Sequence, residues 1–411
     1  MSVEVETAVA DAHRREWAFV LAATVRVAGD IDLAEECVQD AYARALLKWP
    51  SDGVPANTGA WLCTVARNRA LDLRRRDARF ERLLPGLADA EESRGAGSVA
   101  DDRLRLVFTC CHPALSKEAQ IALTLRLVCG LTTNEVSRAL LVSESTMAAR
   151  LTRAKKKITA AHIPYVVPSS EQLPERVDAV LSVIHLLFTA GHTAVSGGQL
   201  VRRDLVQRSL ELARMLRLLL PEDSGVAGLL ALILLTDSRR ETRLDANGRL
   251  VLLSDQERDR WDRSEIAEGL TLVSDALRSR PPERFALMAA IAAVHAEAPT
   301  WEATDWQEIV GLYDVLTLVW PSPIVALNRA VALGFALGPQ AGLDAIDELA
   351  TDPTLALYSY LSSSRGEFLR RLGRRTEAAL AFEEALTFCE NEVERAFLTE
   401  RLLEVAPTPL S

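Results

Sequence analysis

Aromatic residues are scarce, at 5% of a 411-residue chain in which Ala, Leu, Arg and Glu dominate. That mix favours helices over sheets. Long apolar runs are missing as well: no stretch reaches about 18 apolar residues, which excludes a membrane-spanning helix. The N-terminal MSVEVETAVADAHRREW lacks an apolar signal core, so the expected location is the cytoplasm. Cysteine is limited to Cys37, Cys63, Cys110, Cys111, Cys129 and Cys389, none in a CxxC pair. In a long cytosolic chain these read as reduced core residues. No Walker, GxGxxG, HExxH or nucleophile-elbow signature stands in a usable context, so neither an enzyme nor a cofactor is expected.

The chain is too long for one compact core, so several domains are expected. A net charge of -10 argues against a generic polyanion binder but leaves room for segregated charge. Segregation is present. Basic residues gather at Arg67–Arg82 and again at Arg150–Lys157, and acids at Asp32–Asp40 and Glu383–Glu404. Periodicity fails over 83–100, where Gly, Ser and acids collect, and three prolines interrupt Ile163–Pro174. The expected architecture is all-α, with units at 10–80, 101–162 and 175–411 and a linker at 81–100.

In the first unit, DLAEECVQDAYARALLKW carries one continuous apolar stripe from Leu33 to Trp49. Its other side holds Asp32, Glu35, Glu36, Gln39 and Asp40. Acids early in a helix suit its dipole; the same face could also dock a protein partner. A loop rich in Pro, Gly, Asn and Asp follows at Pro50–Gly59. Then AWLCTVARNRALDLRRR buries Leu62, Val65 and Ala66 and leaves Arg67, Asn68, Arg74, Arg75 and Arg76 facing outward. A polar loop beside a basic helix can hold unstacked single-stranded DNA. Trp61 either joins the core stripe or offers a stacking platform.

In the second unit, GLTTNEVSRALLVSESTMAARLTRAKKKI places Thr132 and Glu135 at capping-box spacing. Val136, Ala139 and Leu140 turn inward, a short turn follows, and Ser143 caps a second helix. Met147, Leu151, Ala154 and Ile158 form that helix's buried side. Two helices joined so tightly, the second basic, describe a helix-turn-helix, with a plain helical hairpin as the alternative. In the major groove Ser143, Ser145, Thr146, Ala149 and Arg150 would lie near base edges, and Arg153, Lys155, Lys156 and Lys157 near phosphates.

These three segments, in this order, resemble the bacterial extracytoplasmic-function sigma factors, small initiation subunits of RNA polymerase. The resemblance covers about residues 10–162. It implies that the acidic helix contacts the β′ clamp helices of core polymerase, with β as a further partner. It implies that Asn57, Thr58, Gly59 and the Arg-rich helix recognise and melt the promoter -10 element. The helix-turn-helix would take the -35 element, and no catalysis would belong to the subunit. Three positions depart from the family pattern: Leu141 stands where the turn usually has Gly, Ser137 where Ala is usual, and Ala148–Ala149 where longer polar residues are common. A helix-turn-helix regulator with a helical sensor domain is the competing reading.

The third unit extends beyond a minimal member of that family. Gly366, Leu369, Ala378, Phe382 and Ala385 have the small-and-large spacing of a tetratricopeptide repeat. Ala345 and Leu349 precede Ala378 and Phe382 by 33 residues. At least two degenerate repeats over 320–405 are expected, or else an ordinary bundle. The whole chain then resembles a sigma-factor subgroup with a repeat-like extension, which implies regulation through a protein partner or an intramolecular contact. His185 and His192 share a helical face, and Cys110, Cys111 and His112 are adjacent. Neither set completes a metal site, so no metal is expected.

Overall fold

The computed structural model describes residues 3–81, 99–140, 142–169, 171–194 and 196–405. Most of the expected linker, 82–98, lies outside the described residues, as do Arg82 and the turn residue Leu141. The chain is all-α. Among the described residues, strand structure is confined to a two-residue parallel pair and one isolated bridge. The chain divides into two compact units, Met1–Ile184 and His185–Ser411. The first compact unit holds both expected N-terminal units, and the division lies inside a helix.

The first unit opens with α1 (Val3–Ala28), α2 (Ile31–Asp52) and α3 (Thr58–Glu81). Asp30 caps α2 by accepting from the Leu33 amide at 2.8 Å. Helix α2 runs through Pro50, which the sequence placed in a loop. In the last turn a proline forfeits little, and the helix stops at Gly53, φ 83°. Asn57 then starts α3, its side chain accepting from the Ala60 amide at 2.9 Å.

Helices α4 (Val99–Cys110) and α5 (Lys117–Leu123), a π-helical turn at Thr124–Val128, α6 (Thr133–Ala139) and α7 (Glu144–Ala160) follow. The capping box forms: the Thr132 amide donates to Glu135 at 2.7 Å, and the Glu135 amide donates to Thr132 at 3.2 Å. Ser143 caps α7 through the Thr146 amide. As expected, α7 buries Met147, Leu151, Ala154 and Ile158; each large side chain buried contributes about 1.5–3 kcal/mol. Ser137 is buried, and its hydroxyl donates to the Asn134 carbonyl at 2.8 Å, so a polar residue is accommodated there.

Between the π turn and α6, Gly130 has φ +72°, and a Cβ there would lie 2.8 Å from the Trp17 ring. A left-handed backbone and a close approach to α1 both demand glycine.

Helix α8 (Leu173–His192) contains the division between the units. The second unit continues with α9 (Arg203–Leu219), α10 (Ser224–Asp237), α11 (Arg263–Ala276), α12 (Arg284–Glu297) and α13 (Trp306–Val319). Nearly all of α10 is buried. At Gly228 it comes so close to α12 that a Cβ would meet the Ala286 nitrogen at 2.6 Å.

Two helical hairpins and a last helix complete the unit. These are α14 (Pro323–Ala336) with α15 (Pro339–Leu349), α16 (Ser359–Arg371) with α17 (Arg375–Phe388), and α18 (Glu392–Val405). The Phe382 ring fills the space over Gly366, and Phe368 the space over Gly334 and Gly342. Leu369, Ala378 and Ala385 are buried as their spacing predicts, whereas Ala345 and Leu349 are only half-buried. Ser196 and Gly197 pair in parallel with Glu390 and Asn391. The fully buried Asn391 amide donates to the carbonyls of Ala194 and Gln199, at 2.9 and 3.0 Å.

Candidate functional site

Helix α2 presents its acids in two environments. Asp32, Glu36 and Gln39 are exposed, and Asp40 is half-buried beside Arg44 at 3.0 Å and Arg69 at 3.8 Å. Glu35 is only 5% exposed. It turns away from solvent because α7 and the π turn cover it. Lys155 lies 2.6 Å from Asp32 and 2.5 Å from Glu35. Arg126 approaches Glu35 to 2.7 Å, a charge contact whose angles do not make a hydrogen bond. Burial alone would pull the Lys155 ammonium down, but hydrogen bonds and charge from Asp32 and Glu35 outweigh it and raise its pKa.

Further ties join α1 to the later helices. The Trp17 indole N–H donates to the Leu127 carbonyl at 3.0 Å, and the Arg126 guanidinium lies 5.6 Å from the Trp17 ring centre. Tyr165 lies 2.9 Å from the Ala22 carbonyl and 3.1 Å from that of Asp102. Asp102, 3% exposed, sits near Arg26 and Arg105. The acidic helix and the helix-turn-helix thus meet in a polar seam.

The expected phosphate-facing set on α7 therefore divides. Arg153, Lys156 and Lys157 are exposed and form no ion pair among the described residues. Lys155 instead points into the seam: at Lys155 the helix face turns from solvent to partner. Ser143, Ser145, Thr146 and Ala149 are exposed at the start of α7, and Arg150 is half-buried. The Ser143 hydroxyl lies 3.1 Å from that of Ser145 and 2.8 Å from that of Thr146, so the capping group is tied into a local network.

On α3, Arg67, Asn68, Arg74, Arg75 and Arg76 are all exposed. Arg74 donates to the Val27 carbonyl at 3.0 Å, which anchors it to α1. Asn57 and Gly59 serve the fold directly: one caps α3, and the other is buried where a Cβ would meet the Glu16 carboxylate at 2.6 Å. Thr58 is half-buried. Trp61 is half-buried and stacks edge-on against Trp49 at 5.6 Å, between its two expected roles.

The metal-like motifs are used otherwise. Cys110 and Cys111 are buried, with Cys111 against the Thr124 hydroxyl at 3.5 Å. His185 packs edge-on against Phe285, and His192 stacks on Phe188. Among the described residues no group of three potential ligands converges, and no helix is long and apolar enough to cross a membrane.

Two contributors to the seam carried a signal that periodicity overlooks. Arg126 is the lone charge within IALTLRLV, so it needs a buried partner. Trp17 brings an indole N–H that must be satisfied once buried.

Residues 13–80 match Sigma-70 region 2, 105–158 match Sigma-70 region 4, and 176–277 match a family of unknown function, DUF6596. Uncharacterized protein R00370 of Rhizobium meliloti (strain 1021) is similar throughout, with 42% identity over 398 residues, 95% of this chain and 94% of its own length. Region 2 supplies α1 to α3 and region 4 the helix-turn-helix, in the order of an ECF-like sigma factor followed by a C-terminal extension. The chain belongs to the sigma-70 family.

Proposed function

We propose that this chain is an alternative sigma factor of the extracytoplasmic-function type. It binds core RNA polymerase through the acidic face of α2 and directs it to promoters. Arg67, Asn68, Arg74, Arg75 and Arg76 engage the melted -10 strand. Ser145, Thr146, Ala149 and Arg150 face the -35 bases, while Arg153, Lys156 and Lys157 hold phosphates. The observation that carries this reading is the presence, on one compact unit, of an exposed acidic face beside two exposed basic helices. The extension from 185 onward, with hairpins resembling tetratricopeptide repeats, regulates that activity in the cytoplasm.

The seam adds a step. With Lys155 on Asp32 and Glu35, part of the polymerase face is occupied by the helix meant for DNA. The free chain is thus closed, and polymerase binding displaces α7 from α2. The test is run-off transcription with core polymerase together with a binding titration. Glu36→Ala and Asp40→Ala should weaken polymerase binding at least tenfold, whereas Lys155→Gln should tighten it. Failure of the wild-type chain to bind core polymerase sinks the sigma reading. Unchanged affinity for Lys155→Gln removes only the closed state.

A further inference from the structure

The second unit holds a partly open pocket of about 320 Å³ among α10, α12, α13 and α14, with His185 of α8 also in its wall. That is the volume of about ten waters and lies at the small end of ligand pockets. The wall is mainly apolar and aromatic, including Leu232, Trp261, Met288, Ile291, Leu316 and Trp320. Its polar members are His185, Thr236, Arg239, His295, Tyr313 and Asn328. No carboxylate is among them.

Three arginines gather around this space, and two are committed to the fold. Arg258 donates to the carbonyls of His295 and Ala298 at 2.5 and 2.7 Å and lies 4.8 Å from the Trp261 ring centre. Arg243 donates to the His192 carbonyl and to the Thr193 hydroxyl. Arg239 differs: its side chain makes no hydrogen bond or ion pair with any described residue. The nearby acid, Asp237, is already held by Arg240.

Burial, then Arg243 and Arg258, push the Arg239 guanidinium down to about 10. It remains a cation at neutral pH. The Nδ1 of His295 is also buried without a partner. Burial, Arg239 and Arg258 hold that imidazole at about 4, so it is neutral.

Arg239 is half-buried, and a guanidinium with no acid partner at the mouth of an apolar pocket is ready to take an anion. One guanidinium fork matches the two oxygens of one carboxylate. A doubly charged phosphate would stay half-neutralised, because the other polar wall groups are neutral. We propose that this cavity binds a small monocarboxylate with an apolar body, the carboxylate on Arg239 and the body among Trp261, Met288, Ile291 and Trp320. The site stands whether or not the chain acts in transcription.

The test is calorimetric titration of the full chain with decanoate and phenylacetate, each against its primary amide, with tryptophan fluorescence as a second readout. At least one carboxylate should bind with one-to-one stoichiometry, at least tenfold more tightly than its amide. Arg239→Gln should weaken that binding at least tenfold and raise the melting temperature of the ligand-free protein, since it removes an unpaired charge. Arg214→Gln, which breaks an exterior pair with Glu268, should leave the affinity unchanged. The proposal is overturned if neither carboxylate binds, if the amides bind as well, if Arg239→Gln binds like the wild type, or if that variant melts lower. The carboxylate–amide comparison needs no variant, so it decides even if Arg239→Gln misfolds.

Discussion

In the first unit Lys155 faces two carboxylates, Asp32 at 2.6 Å and Glu35 at 2.5 Å. In the second, Arg239 has Arg243 and Arg258 for company and no acid. Both cations are half-buried, and the loss of solvent alone lowers both pKa values. The acids reverse the shift for Lys155; nothing reverses it for Arg239. The comparison separates two uses of a desolvated charge. A seam compensated from within ties α7 to α2, whereas a cation left uncompensated favours a ligand that supplies the missing charge.

The strongest way to drive the two regions apart is acid. Burial holds His185 and His295 of the second unit at about 4, against about 6.5 unfolded. Their depressed values contribute stability above about pH 6.5, which is lost as pH falls toward 4, about 3 kcal/mol for each imidazole. Lys155 adds no such loss: its raised value contributes below the unfolded pKa of about 10.4 and fades only in alkali. Hydrogen exchange followed by mass spectrometry between pH 7 and 4 should show protection falling around α10, α12 and α13. Equal or greater loss in α2 and α7 would contradict this.

Next in size is Glu35→Ala. It leaves Arg126 without an acid and Lys155 with Asp32 alone, and should cost about 3 kcal/mol in urea unfolding. A change near zero would mean that the seam is not formed in solution. Arg239→Gln should move stability the other way, a gain of about 1 kcal/mol, because it deletes a charge with no partner. The smallest effect belongs to Arg44→Gln, which breaks the solvated pair with Asp40 and should cost about 0.3 kcal/mol by thermal melting. If Arg44→Gln costs as much as Glu35→Ala, burial is not what sets these charges apart.

What the sequence revealed, and what it hid, follow from range. The buried stripe of α7, the Thr132–Glu135 box and the Ser143 cap involve residues three or four apart, so spacing reveals them. So does the packing of Phe382 over Gly366 within one hairpin. Glu35 and Lys155 are 120 positions apart, and helical periodicity can assign each only to the polar side of its own helix. Pro50 misled locally, because a proline in a last turn costs too little to end a helix before Gly53. The cavity was illegible for a related reason. Arg239 looks like any arginine after an apolar helix until four other helices form a pocket beside it.

Asn391 gives the second unit a property that stacked hairpins alone would lack. By holding the carbonyls of Ala194 and Gln199, it clasps the start of the unit to its last helix, so covalent chain and clasp form a closed circuit. In an open stack the terminal helices are ornaments that can be shed one by one. Asn391, which also accepts from the first amides of α18, thus ties that helix to residues nearly two hundred positions earlier: a truncation that removes Asn391 should loosen the beginning of the unit as well as its end.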